Sequence, residues 1–157
     1  MPSTRKNTRA RVTPKSTRTP RSKTVKTQQS SGSVSAFLAR AASGSRLPDA
    51  QSIVAMMEQA TGQKAAMWGS AIVGCDSYMV RYAGGREAPW PLVAFSPRAS
   101  AFVLYIDWKR HPDLLKRLGK HKTAGSCLHI KQLADVDPDA LQELIAAAAR
   151  SRKATAR

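Results

Sequence analysis

Leu92-Val93-Ala94-Phe95-Ser96-Pro97-Arg98-Ala99-Ser100-Ala101-Phe102-Val103-Leu104-Tyr105-Ile106 decides how this chain is read. Leu92–Phe95 and Phe102–Ile106 lack the polar alternation of a half-exposed strand, so each reads as a central strand covered on both faces. Ser96-Pro97-Arg98-Ala99 joins them, with proline where its fixed φ suits a type I turn. Strands joined this closely pair antiparallel, because a parallel pair needs a crossover of about a dozen residues or more.

Outward from this hairpin the period changes twice. Upstream, Met67 to Val73 reads as a strand, Gly74-Cys75-Asp76-Ser77 as its turn, and Tyr78, Val80 and Tyr82 as one side of the next strand, ended by Gly84-Gly85. Further upstream, Val34, Phe37, Leu38 and Ala41 have the spacing of an amphipathic helix, broken by Ser43-Gly44-Ser45. Pro48 and Asp49 suit the first turn of a second helix, whose apolar face is Ala50, Ile53, Val54 and Met57 and whose stop is Gly62. Downstream, His111-Pro112-Asp113 opens a short helix bearing Leu114, Leu115 and Leu118, closed by Gly119. Ser126–Lys131 alternates as a half-exposed strand, with Cys127, His129 and Lys131 on its polar side. Asp137 and Pro138 start a last helix with Leu141, Leu144, Ile145 and Ala148 as its buried stripe. The expected order is α-α-β-β-β-β-α-β-α: an α+β domain, an antiparallel sheet with helices packed on one face.

Charge divides the chain differently. Its 157 residues carry 26 Lys+Arg against 10 Asp+Glu, a formal net charge of +16. Residues 1–27 hold nine of the bases (Arg5, Lys6, Arg9, Arg11, Lys15, Arg18, Arg21, Lys23 and Lys26) and no acid. Residues 150–157 hold four more, again without an acid. With Val12 and Val25 as the only bulky aliphatic residues between Pro2 and Gly32, residues 1–33 cannot offset a backbone entropy of about 1–2 kcal/mol per residue. They read as a disordered basic tail, 34–149 as the domain and 150–157 as a second basic tail. The first tail is suited to nonspecific binding of DNA, RNA or another polyanion by neutralising phosphates. It has no aromatic residue for stacking and no apolar core of a secretory signal. The longest apolar run, Leu144–Ala149, falls far short of the roughly 20 residues of a membrane span. A cytoplasmic protein without a membrane partner is expected.

Met67-Trp68-Gly69, Ile72-Val73-Gly74, Phe95-Ser96-Pro97-Arg98, Leu104-Tyr105-Ile106, Leu118-Gly119-Lys120-His121-Lys122-Thr123 and Ser126-Cys127-Leu128 resemble the YdhG-like family, domain of unknown function 1801, over about residues 36–149. Cys75 and His129 depart from it, standing where aromatic residues are common in the family. The resemblance implies a small, mostly bacterial cytosolic α+β protein with no established reaction. Some members have been proposed as frataxin-like iron chaperones, which makes iron the alternative cofactor to none at all.

The chemistry-bearing residues point to binding rather than catalysis. Cys127 and His129 share a strand side, but no acid stands two residues from His129 to orient it, so no catalytic residue is assigned. Cys75 and Cys127 offer no paired spacing for zinc. Iron would need clustered carboxylates, and the one dense acidic run is Asp135, Asp137, Asp139 and Glu143. Asp137 reads as a helix cap, which leaves Asp135, Asp139 and Glu143 as the alternative metal set. Trp68 and Trp90 could line an aromatic groove. The strongest binding feature is the loop Gly119–Ser126, where Lys120, Lys122, Thr123 and Ser126, with Arg98 from another loop, form an expected anion site. It is not a Walker A loop, since no lysine follows Gly125.

Overall fold

The computed structural model describes residues 28–155. In chain order they form β1 (Gln29–Ser30), α1 (Val34–Ala41), α2 (Arg46–Thr61), β2 (Ala65–Trp68), β3 (Ile72–Arg81), β4 (Glu87–Pro97), β5 (Phe102–Tyr105), α3 (Pro112–Leu118), β6 (Lys122–Ala124), β7 (Cys127–Ile130) and α4 (Pro138–Thr155). Short 3-10 turns at Trp108–Arg110 and Leu133–Asp135 precede α3 and α4. The strands make one antiparallel sheet of order β1-β2-β3-β4-β5-β7-β6. The α+β class is as expected.

Register explains where the core sits. Val73 pairs with Phe95, Phe95 with Leu104 and Leu104 with Leu128, while Cys75 pairs with Val93 and Phe102 with Ile130. Side chains alternate along a strand, so these residues share one face of the sheet. They pack with Leu38, Ile53, Met57, Leu141, Leu144 and Ile145 of the helices into one buried cluster. Ser33 caps α1 by accepting from the Ala36 N–H at 3.2 Å. Asp137 caps α4 as expected, Oδ1 accepting from Asp139 and Ala140 N–H at 2.9 and 3.2 Å. Asp49 does more than answer the dipole of α2: its Oδ2 accepts from the Leu133 N–H at 3.1 Å, tying α2 to the segment before α4.

Four expectations are corrected. The turn between the first strands is at Gly69–Ala71, not at Gly74–Ser77, which lies inside β3. Gly74 is there for space: a Cβ on it would lie 2.5 Å from Pro91 Cβ and 2.8 Å from Trp68 Cδ1. The sheet starts at Gln29, inside the stretch read as tail, because β1 pairs with Trp68 and Met67. Helix α4 runs on to Thr155, past the expected boundary at 149, since Ser151 and Arg152 bond back to the domain. Lys122–Ala124 is a strand rather than loop, closed onto β7 by a two-residue turn, with Gly125 at φ 58° where a II′ hairpin takes glycine. The basic residues Arg5 to Lys26 lie outside the described residues.

Beyond Cys75 and Ala94 the sheet narrows. β2 pairs with β3 only from Ile72 to Cys75, and β5 with β4 only from Ala94 to Pro97. Ser77–Arg81 and Glu87–Pro91 therefore continue as a two-stranded ribbon.

Candidate anion site

The end of α3 is fastened to the segment before α4. Gly119 bridges to Val136, the Lys120 N–H donates to Asp135 O at 3.1 Å, and the Asp137 N–H donates to Leu118 O at 2.8 Å. This fixes where the chain leaves α3 and enters β6. On the β6–β7 hairpin Lys122 stands opposite His129, and Lys131 follows on the same side two residues on. Lys120, His121, Lys122, His129, Lys131 and Asp135 line a cavity of about 460 Å³ below the β4–β5 turn.

Charge in this cavity is mainly positive, three lysines against one carboxylate. Lys120, Lys122 and Lys131 have no carboxylate within ion-pair distance among the described residues. The one carboxylate on the wall, Asp135, accepts from Gln132 Nε2 at 3.0 Å. His121 Nδ1 lies 2.8 Å from Gly119 O, and since a carbonyl only accepts, Nδ1 is the donor in this contact. Ammonium groups on flexible stems bind phosphate as point charges.

Of the expected anion residues, Lys120 and Lys122 come together here. Thr123 points to the alternate side of β6, opposite Leu128. Ser126 sits at the hairpin turn and lines a different groove, its carbonyl accepting from Trp108 Nε1 at 3.2 Å. Arg98 is exposed outside the cavity, its carbonyl accepting from Arg46 Nη2 at 2.6 Å. His121, His129 and Lys131 are the residues that sequence reasoning missed. The alternation of β7 pairs His129 with Lys131 on one side, but only the β6 register brings Lys122 to them.

The other candidates come apart. Trp68 covers Gly74, while Trp90 lines another groove with Tyr78 and Tyr105, so the two indoles share no site. Glu143 takes two hydrogen bonds from Arg117, at 2.8 and 3.4 Å, and these together with its charge raise the guanidinium's pKa further. With Asp135 on Gln132, the carboxylates of the alternative metal set face different partners, and no group of three metal-ligating side chains occurs among the described residues.

Cys75 is buried inside the sheet, and burial, then the charge of Glu58, pushes its thiol from 9.0 up to about 12. Below pH 9 the thiol is protonated folded and unfolded, and its contribution is fully present. Between about pH 9 and 12 only the unfolded chain loses the proton, so stability falls by about 1.4 kcal/mol per pH unit from this group. In urea unfolding from pH 8 to 11, wild type should decline more steeply than Cys75→Ala; parallel declines would contradict this.

No family model matches the chain, and neither a curated protein nor a solved structure matches it.

Proposed function

We propose that this chain is a non-catalytic, cytoplasmic binding protein for phosphate-bearing polyanions, nucleic acid foremost, built on a YdhG-like domain. The observation that carries the reading is the cavity where Lys120, Lys122 and Lys131 converge with no carboxylate paired to any of them among the described residues. The three lysines outnumber Asp135 on this wall, and a bound anion lowers the repulsion among them. The sequence supports the same reading, because the nine bases of residues 1–27 precede β1 with no acid among them. β1 and β6 are the two edges of the sheet, roughly 29 Å apart at about 4.8 Å per strand step. The leader enters the sheet at β1 and the cavity lies beside β6, and bases in both favour a phosphate polymer over a lone small ligand.

Inorganic phosphate tests the cavity. With a Kd of about 1 mM, 10 mM phosphate adds about 1.4 kcal/mol, a rise in melting temperature of about 3–6 °C. Chloride at matched ionic strength should give less. The Lys120→Ala/Lys122→Ala variant should keep its circular dichroism spectrum and lose the phosphate-specific rise. An equal rise in wild type and variant would reduce the cavity to a connection between α3 and β7.

A further inference from the structure

All three tyrosines of the chain gather in one place. Tyr78 is on β3 and Tyr82 just past its end, Trp90 stands directly across from Tyr78 on β4, and Tyr105 comes from the end of β5. Together they line a groove of about 290 Å³ along the two-stranded ribbon. Each ring is half-buried, whereas the phenylalanines Phe37, Phe95 and Phe102 are in the core.

Arg152 forms the charged wall of this groove. Where β4 and β5 part company, its Nη1 donates to Leu92 O at 2.9 Å and to Tyr105 O at 3.1 Å. Its guanidinium lies 5.6 Å from the centre of the Tyr78 ring. Both partners are neutral carbonyls, so among the described residues the positive charge is not cancelled, and Nε and Nη2 keep donors to spend. The neighbouring acids are matched elsewhere: Glu87 by Arg81 at 2.8 Å, Asp107 by Arg110 at 3.1 Å and Asp76 by Lys153 at 3.7 Å. Among the described residues no carboxylate lines the groove.

We propose that this groove is a base-stacking site for single-stranded nucleic acid, with Arg152 donating to the adjoining phosphate. Flat aromatic walls next to an unneutralised guanidinium match a ligand that is itself flat, aromatic and anionic. A cation would meet Arg152 with repulsion. A duplex keeps its bases stacked inside and cannot offer them to Trp90 or Tyr82. The groove also adjoins the anion cavity. Ser126 in the β6–β7 turn lines the groove, and Lys122, about 7 Å of strand back from that turn, lines the cavity. One strand can thus rest a base in the groove and a phosphate in the cavity. The proposal rests on the polyanion reading and adds which form of nucleic acid is chosen.

The test is fluorescence anisotropy of the full chain with a labelled dT oligomer and with a duplex of equal length. Wild type should prefer the single strand. Trp90→Ala should weaken single-strand binding about tenfold while duplex binding stays within about twofold. Trp90→Phe, which keeps a ring, should recover most of the loss. Tyr82→Ala, at the ribbon's tip, gives a second reading should Trp90→Ala fail to fold. Unchanged single-strand affinity in these variants, or equal losses on both probes, overturns the stacking site and leaves the polyanion reading standing. No binding of either probe by wild type overturns both. Self-association that depends on Trp90, without any effect on the oligomer, identifies the groove as a contact between copies and also overturns the proposal.

Discussion

Gly119→Ala is expected to lower unfolding free energy by about 2–6 kcal/mol and to weaken the phosphate response with it. Gly119 has φ 100° and ψ −145°, close to a region that essentially only glycine occupies, and strain there costs about 1–3 kcal/mol. A Cβ would also lie 2.8 Å from Asp135 O, a backbone atom that cannot swing aside. Overpacking of that kind adds about 1–3 kcal/mol. The same carbonyl accepts the Lys120 N–H at 3.1 Å, so whatever moves to relieve the clash also moves Lys120 relative to Asp135. Urea unfolding measures the first effect and phosphate-dependent melting the second. A loss below about 1 kcal/mol with an intact phosphate shift would mean that the α3 exit is not held as described.

Gly74→Val should cost at least about 3 kcal/mol, enough that much of the variant is recovered insoluble. Here the obstacle is space rather than dihedral angle. The missing Cβ position is 2.5 Å from Pro91 Cβ and 2.8 Å from Trp68 Cδ1. Pro91 is fixed by its ring and Trp68 is buried, so neither can withdraw cheaply. Relief requires the β3–β4 pairing to open around Ser77 and Pro91, at the root of the ribbon that carries the aromatic groove. Gly74→Ala should show a smaller loss in the same direction. Urea midpoints of the two variants, ordered wild type, alanine, valine, would establish the steric origin. A valine variant as stable as wild type would contradict it.

Helices and the cores of β4 and β5 were legible because burial leaves a pattern. Leu141, Leu144, Ile145 and Ala148 repeat at helical spacing, and Asp137-Pro138 marks the start that α4 has. Where little is buried there is no period to read. Lys122, Thr123 and Ala124 are all exposed, and Gln29 and Ser30 likewise, so β6 and β1 left no trace in the pattern. Glycine misled for a different reason. Gly69 turns the chain at φ 69° while Gly74 makes room for an indole, and a sequence does not distinguish the two uses. The same limit governed the site. Lys120 and Lys122 stood out as cations in a short segment, but choosing their companions required the pairing of Lys122 with His129. Thr123 and Ser126 were grouped with them because a loop has no sides, whereas a strand has two. Arg152 looked like part of a charged tail. Its contact with Leu92 O spans 60 residues of chain, which no local pattern encodes.

The ribbon beyond Cys75 and Ala94 exposes two strand edges, the usual starting point for sheet-to-sheet aggregation. Its own residues oppose that outcome. Pro89 and Pro91 in β4 carry no amide hydrogen, so a foreign strand arriving along that edge finds two of its donors missing. Arg81 and Glu87 add charge at the far end, and the outermost strands of the whole sheet, two and three residues long, give an incoming chain almost nothing to pair with. The protein can therefore hold an aromatic hairpin out in water, at the high concentrations a cell or a test tube imposes, without that hairpin becoming a template for fibrils.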